Sequence, residues 1–193
     1  MKKVGRKAVS ILVSVAVTIS SFAVATPANA VVITSGTPYQ ANGTYDVTVP
    51  HVFINQVYGG GLATDTGNTA SSHGFIELYN PTSSDISLSG WSLQYADRGS
   101  SAKTGPTGDW DKLDLIGTIK AKSSFLVLGK ATGATAPKLN LASTYDQEWS
   151  TRFINNKGMK VALMSNQTKL DVANKNPFAN EPKPNGYVDM IGT

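Results

Sequence analysis

Short runs in which apolar and polar residues alternate follow one another along the chain from residue 51 onward. They are rich in β-branched and aromatic residues and are bounded by Gly, Pro, Asn and Ser, which is the pattern of β-strands. After residue 30, apolar residues nowhere recur at spacings of three and four over three helical turns. The pattern therefore predicts an all-β sandwich. The expected strands are residues 51–58, 74–80, 86–95, 124–128, 159–164 and 187–191.

The segment from Gly74 to Tyr95 carries the clearest of these signals. Two apolar runs flank a turn that begins at Pro81, which predicts a β-hairpin. In the first run, alternation places Ile76 and Leu78 toward the core and their odd-numbered neighbours outward or half covered.

The second run of this segment changes its alternation at Gly90. The apolar residues before it, Ile86 and Leu88, occupy even positions. The apolar residues after it occupy odd positions: Trp91, Leu93 and Tyr95. A regular strand would expose one set, although burying each such side chain contributes about 1.5 to 3 kcal/mol. Because glycine costs a strand only about 0.5 to 1 kcal/mol, we expect a β-bulge at Gly90 that buries both sets.

Residues 1–30 have the pattern of a secretory signal peptide: a basic start, an apolar stretch and the small-residue site Ala28-Asn29-Ala30. The apolar stretch is diluted by Ser and Thr and ends at Pro27, so it falls short of the ~20 predominantly apolar residues that span a membrane. We expect cleavage after Ala30, bacterial export to the medium or the cell surface, and a mature chain without a membrane span. The turn-rich residues 31–50 predict a flexible lead-in, followed by one domain at residues 51–193.

Charge and cysteine content narrow the class of protein. The chain has 17 Lys and Arg against 13 Asp and Glu, but the four excess positive charges lie in residues 1–30. The mature chain is therefore neutral, and bulk charge offers no reason to expect nucleic-acid binding. There is no cysteine, so disulfides, thiolate metal sites and cysteine nucleophiles are excluded, and a packed core must supply the stability.

Two tryptophans are the candidate partner-binding residues. Trp110 and Trp149 lie in predicted loops next to charged residues. An exposed tryptophan ring would suit a protein partner or a sugar ring. The alternative, which we favour, is that both rings cap the ends of the sandwich.

The sequence gives only weak signals for a catalytic site or a metal site. The acidic group Asp109, Asp111 and Asp114 has the oxygen ligands that calcium prefers, but it lacks the glycine and terminal glutamate of an EF-hand loop. Solvated carboxylates are the favoured interpretation, and calcium binding stays open. A similar but weaker group lies at residues 65–68.

His73 and Glu77 would lie roughly 13 Å apart on a strand, too far to share an ion. We therefore expect a surface histidine and a paired or solvated glutamate. His51 has no acidic neighbour in sequence, and no G-x-S-x-G motif is present. We assign no catalytic, cofactor-binding or metal-binding residue and expect no cofactor.

Several segments, in this order, resemble the bacterial lamin-tail domain family. They are VFINQVYGGG, FIELYNPTSSDISLSGWSLQY, GTIKAKSSFLVLGK, GMKVALMSN and YVDMIG. The most specific part contains Glu77, Asn80-Pro81 and Gly90-Trp91. The resemblance implies an immunoglobulin-like sandwich, an extracellular setting and a role in binding or tethering. An extracellular protein, the cell wall or a carbohydrate would be the partner.

The chain departs from this family pattern in two places. An Asn-, Lys- and Pro-rich insert, DVANKNPFANEPKPNG, precedes the strand that begins at Tyr187, and the sequence stops at Thr193 where the family continues through another strand. We expect either a short last edge or a fragment of a longer protein. The resemblance accordingly leaves two functions open. One is a non-catalytic binding module, and the other is an accessory domain of a secreted nuclease, phosphatase or other hydrolase whose catalytic part lies beyond residue 193.

Overall fold

A computed structural model describes residues 35–60, 71–97, 110–156, 158–171 and 174–192, which all belong to one compact unit, Ile33–Thr193. The predicted signal peptide lies outside these residues. The regular elements within them are all strands. They are β1 (Phe53–Tyr58), β2 (His73–Asn80), β3 (Ile86–Ser87), β4 (Ser92–Asp97), β5 (Asp111–Asp114), β6 (Thr118–Ile119), β7 (Ser123–Ala131), β8 (Gln147–Glu148), β9 (Met159–Met164) and β10 (Tyr187–Gly192).

Two four-stranded sheets form the sandwich. The first sheet has the order β1-β2-β7-β8, and the second has the order β10-β9-β4-β5. Neighbouring strands in these sheets are antiparallel, except that β8 is parallel to β7. β3 and β6 form a separate two-stranded antiparallel ribbon. The prediction of an all-β sandwich is confirmed. No helix in the part of the chain that the structure describes is long and apolar enough to cross a membrane.

The main core lies between the two sheets. Ile76 and Leu78 of β2 are fully buried, whereas Phe75, Glu77 and Tyr79 on the other face are half-buried. The predicted alternation of this strand is therefore confirmed. Other members of the core include Val52, Leu93, Tyr95, Phe125, Val127, Trp149, Val161 and Leu163.

The segment from Gly74 to Tyr95 is not a hairpin. β2 pairs with β1 and β7 of the first sheet, while β4 pairs with β5 and β9 of the second. The chain leaves one sheet after Asn80 and enters the other at Ser92, and β3 of the two-stranded ribbon lies in the connecting segment. The prediction was wrong because a strand's partner is set by contacts that are distant in sequence.

Gly90 lies in a turn and not in a bulge. The Trp91 amide donates to the Leu88 carbonyl at 3.0 Å, and Gly90 has φ of 85°. The predicted burial of both apolar sets is confirmed, since Ile86, Leu88 and Trp91 are all at most 6% exposed. The change of alternation marks the passage from one sheet to the other.

Asn80 fixes the point where the chain leaves the first sheet. Its side chain is fully buried, and its Nδ2 donates to the carbonyls of Ser84 and Lys120 at 2.8 and 3.1 Å. Its Oδ1 accepts from the Thr82 amide at 3.0 Å. One buried side chain thus satisfies several loop groups that would be costly to leave unpaired.

The second sheet is covered on its outer face as well. A second apolar cluster there contains Ala96, Trp110, Ala162, Met164, Leu170 and Tyr187. Between its apolar members lies Gln94, which is fully buried. Its amide donates to the Thr168 carbonyl and accepts from the Leu170 amide, both at 2.8 Å. The side chain therefore binds the covering segment as a neighbouring strand would.

Residues 35–50 belong to this cover. The Tyr39 hydroxyl donates to the Tyr187 carbonyl at 2.7 Å, and the Tyr45 and Tyr187 ring centroids lie 5.6 Å apart. Two tyrosines of the predicted lead-in therefore contact β10, an attachment that the polar composition of this segment did not indicate.

The insert before β10 is fastened to the same face by Lys183. Its Nζ lies 5.2 to 5.9 Å from the ring centroids of Phe178, Tyr45 and Tyr187 and 2.6 Å from a Glu181 carboxylate oxygen. The cation–π contacts with Tyr45 and Tyr187 attach the insert to this face, while Phe178 and Glu181 hold Lys183 from within the insert.

Asp189 joins the edges of the two sheets. It lies on β10, yet its Oδ2 accepts from the Ile54 amide of β1 at 2.8 Å, and its Oδ1 accepts from the Met190 amide at 2.8 Å. Burial raises the pKa of this carboxyl above its usual 3.8, although the two amide hydrogen bonds and His51 act in the opposite direction.

Substituting Gly90→Ala tests the turn. An alanine at positive φ costs about 1 to 2 kcal/mol, and a Cβ there would have no close contact, so strain is the expected source of destabilisation. Urea unfolding should show this loss, whereas Ser89→Ala, an exposed neighbour in the same turn, should change the free energy by less than about 0.5 kcal/mol. Equal stability of Gly90→Ala and the parent would contradict the turn geometry.

Asp189→Asn tests the buried carboxyl. Between pH 3.8 and the raised pKa, the folded chain holds a proton that the unfolded chain has released, so the parent's unfolding free energy falls as pH rises. The asparagine variant lacks this contribution. The stability of the parent minus that of the variant, measured by urea unfolding, should therefore decrease as the pH rises from below 3.8 through the raised pKa. A difference that rises with pH would show that the hydrogen bonds outweigh burial.

Candidate binding surface on the first sheet

The two tryptophans predicted as partner-binding residues are inside the molecule. Trp110 is 1% and Trp149 is 4% exposed. Trp149 packs edge-on against Tyr95 with ring centroids 6.5 Å apart, and Trp110 belongs to the cluster on the second sheet. The rings are therefore not exposed, and their burial agrees with the favoured alternative, in which both rings pack against the sandwich.

The charged neighbours of the tryptophans do not mark exposed rings. Asp111 follows Trp110, and Arg152 lies three residues after Trp149, yet these two side chains form an ion pair with each other. The Arg152 guanidinium also lies 5.1 Å from the centroid of the Tyr95 ring. The charges thus satisfy one another at the surface and leave the rings free to pack inward.

The acidic residues that suggested a calcium loop do not converge where the structure describes them. Asp111 pairs with Arg152, and Asp114 pairs with Lys112. The two carboxylates are three residues apart on β5 and so point to opposite faces. Asp109 and residues 65–68 lie outside the described residues. Within the described ranges, no three His, Cys, Asp or Glu side chains form a group that could hold a metal ion.

The two histidines lie in different parts of the structure and have different hydrogen-bond partners. His73 is only 8% exposed, and its Nδ1 lies 2.8 Å from the Ser72 hydroxyl, so the expected surface histidine is wrong. The Nδ1 of His51 lies 2.6 Å from the Val49 carbonyl. The fold also brings His51 near Asp189, a proximity that sequence separation had hidden.

A row of aromatic side chains crosses the outer face of the first sheet. Phe75 and Tyr79 lie on the outer face of β2, opposite Tyr58 and Phe53 of β1. The Tyr58 and Phe75 rings are stacked, with centroids 5.4 Å apart and planes 18° apart. The Phe53 and Tyr79 rings meet at 60° with centroids 5.7 Å apart. All four side chains are half-buried, so each pair presents part of its surface to solvent.

Glu77 lies between the two aromatic pairs and is held by hydrogen bonds from both adjacent strands. The Asn55 amide donates to one carboxylate oxygen at 2.9 Å, and the Ser124 hydroxyl donates to the other at 2.6 Å. The predicted pairing of Glu77 is therefore confirmed. A carboxylate has about four lone-pair positions, so these two bonds fix its orientation and leave acceptor capacity for a ligand.

We call the seven residues that form this surface the aromatic face. They are Phe53, Asn55, Tyr58, Phe75, Glu77, Tyr79 and Ser124. Sequence alternation had placed the β2 members outward, but their partners on β1 and β7 depend on the strand register. A bulge between Ile54 and Gln56 sets that register, and the sequence carries no local signal for it.

A cleft of about 570 Å³ opens on the opposite side of the molecule, lined by residues that include Tyr39, Tyr45, Glu181 and Lys183. The ring of Tyr45 already contacts the Lys183 ammonium of the same chain. The cleft is therefore partly filled by the insert, and the aromatic face is the stronger candidate for a binding surface.

Comparison with known protein families gives one clear match. The family model described as Lamin Tail Domain matches residues 47–176, which is more than half of the chain and includes the whole aromatic face. The match supports an immunoglobulin-like domain and ends before β10 and most of the insert. A search of the curated proteins found no matching protein.

Replacing a buried tryptophan should lower the free energy of unfolding. Trp149→Ala is expected to lower the free energy of unfolding by about 3 to 5 kcal/mol, because it removes a large core side chain. Tyr145→Ala is the matched control, since this nearby aromatic residue is 44% exposed and should change stability by less than about 0.5 kcal/mol. Urea unfolding monitored by circular dichroism measures both. A Trp149→Ala protein as stable as the control would contradict the buried position.

Proposed function

The chain belongs to the lamin tail domain family, and on that premise we propose that it is a secreted or cell-surface module that binds or tethers a partner without catalysing a reaction. The observation that carries the proposal is the aromatic face. Half-buried aromatic rings retain apolar area for contact and lose little conformational entropy on binding, since each has two side-chain torsions.

Export is supported by the sequence of residues 1–30, which combines a basic start, an apolar stretch and a small-residue cleavage site. A binding role is supported by the arrangement of the face. Its two aromatic pairs would supply contact area, and the fixed Glu77 carboxylate would orient the partner. Both features suit recognition, because they position groups without bringing a nucleophile and a base together.

Glu77 also makes one class of partner less suitable. It is the charged member of the aromatic face, and its negative charge would repel the phosphate groups of nucleic acids. A partner that offers hydrogen-bond donors and apolar surface suits the face better. The accessory role in a larger secreted hydrolase would use the same surface to bring that enzyme to its target.

Binding of the exported protein to cell envelopes from its source organism tests this function. Tagged protein recovered from the medium or cell surface should begin at Val31 and sediment with the envelopes. Phe75→Ala and Tyr79→Ala should each weaken this binding about tenfold or more, as expected for aromatic anchors.

Phe178→Ala is the control, because this exposed ring lies on the insert against the second sheet. It should bind as the parent does. Uncleaved protein retained inside the cells would contradict export. Loss of binding in the control, or unchanged binding in both face variants, would contradict the assignment of the aromatic face.

A further inference from the structure

We propose that the ligand of the aromatic face is an uncharged glycan chain lying along β2, an inference that rests on the binding function proposed above. One sugar ring would pack on the Tyr58–Phe75 pair and another on the Phe53–Tyr79 pair. Hydroxyl groups between these rings would donate to Glu77.

The spacing of the aromatic residues fits an elongated ligand. Phe75 and Tyr79 are four residues apart on the same side of β2, which separates them by roughly 13 Å at about 3.3 Å per residue. Each is joined by a ring from β1, so the face has an apolar platform at either end. A single small molecule would contact one platform, whereas an oligosaccharide would contact both.

The chemistry of the aromatic face matches the two kinds of group that a sugar ring presents. A pyranose ring has C–H groups on its faces and hydroxyl groups around its rim. Aromatic rings offer an apolar surface with a negative face that attracts polarised C–H groups. Glu77 accepts hydrogen bonds between the platforms, and charge-assisted hydrogen bonds to hydroxyl donors are the stronger kind.

The pre-arranged state of Glu77 strengthens this assignment. The bonds from Asn55 and Ser124 hold its carboxylate in place at 2.9 and 2.6 Å before any ligand arrives. A fixed acceptor avoids much of the ordering cost of binding. Asn55 is itself exposed, so its amide can also contact the rim of a sugar.

The alternatives fit less well. An anionic polymer, whether a nucleic acid or a uronic acid glycan, would place negative charge beside Glu77. A peptide that extends a sheet would bind at a strand edge, whereas the aromatic side chains project from the face of β1 and β2. A purely apolar ligand would leave the carboxylate without a donor from the ligand and would remove it from water at a cost.

Titration calorimetry with defined oligosaccharides tests the inference on the exported protein. The probes are cellohexaose and chitohexaose as uncharged chains and hexagalacturonate as an anionic chain. At least one uncharged probe should bind, and the anionic probe should bind more weakly. Phe75→Ala and Tyr79→Ala should each raise the Kd about tenfold or more, and Phe178→Ala should leave it unchanged.

Glu77→Gln separates the polar contribution from the aromatic one. It keeps the shape of the side chain and one carbonyl acceptor but removes the charge. The Kd for the uncharged probe should rise several-fold, and the preference over hexagalacturonate should shrink. Circular dichroism and urea unfolding confirm that each variant is folded. A Glu77→Gln protein with unchanged affinity and unchanged preference would overturn the role of the carboxylate.

Digestion of the envelopes distinguishes failure of this inference from failure of the proposed function. Binding lost after treatment with cellulase, chitinase and lysozyme but kept after protease treatment would support a glycan. Binding lost after protease but kept after glycan digestion would overturn the glycan and leave the binding function in place. Envelope binding that is unchanged in the Phe75→Ala and Tyr79→Ala variants would overturn both the glycan inference and the proposed binding function of the aromatic face.

Discussion

Burial of β4 on both faces is the constraint on which the rest of the architecture depends. Leu93 and Tyr95 point into the core between the sheets, while Ser92, Gln94 and Ala96 face the other way and are equally buried. A strand of an antiparallel sheet usually leaves one face to water. Here that face needs a cover, and residues 166–170 and Trp110 provide it. The lead-in and the insert extend the cover over Tyr187 of β10. The first sheet has its core-facing side packed in the same sandwich, and its other side carries the aromatic face.

The direction of the side chains was predicted best where burial is one-sided. Ile76 and Leu78 alternate with polar or half-exposed residues, so their direction could be inferred locally. β5 was missed because its sequence, DKLD, is mostly charged, as edge strands often are. β6 and β8 have two residues each, too few for any periodicity to be recognised. β3 was predicted as part of one strand with β4, at residues 86–95. Gly90 was correctly identified as the point of change, but whether a chain bulges or crosses to another sheet depends on distant partners.

The candidate site was also predictable only in part, because its residues come from strands that are distant in sequence. Alternation placed Phe75, Glu77 and Tyr79 on an outer face, yet the rings and hydrogen-bond donors that complete this surface come from β1 and β7. Trp110 and Trp149 are a second example. Charged neighbours suggested exposure, but Asp111 and Arg152 pair with each other across a long stretch of sequence. Local composition describes the neighbours of a side chain along the chain, and not those around it in space.

The double cover of β4 has a consequence for how the domain opens. Amide protons of a strand packed on both faces exchange with solvent only when a large part of the structure unfolds, whereas those of a strand with one wetter face can exchange through smaller openings. The slowest-exchanging amides should therefore lie in β4 and β9, remote from the aromatic face. Local opening of β1 from β2 can then change the distance between the paired aromatic rings while the second sheet keeps the domain folded.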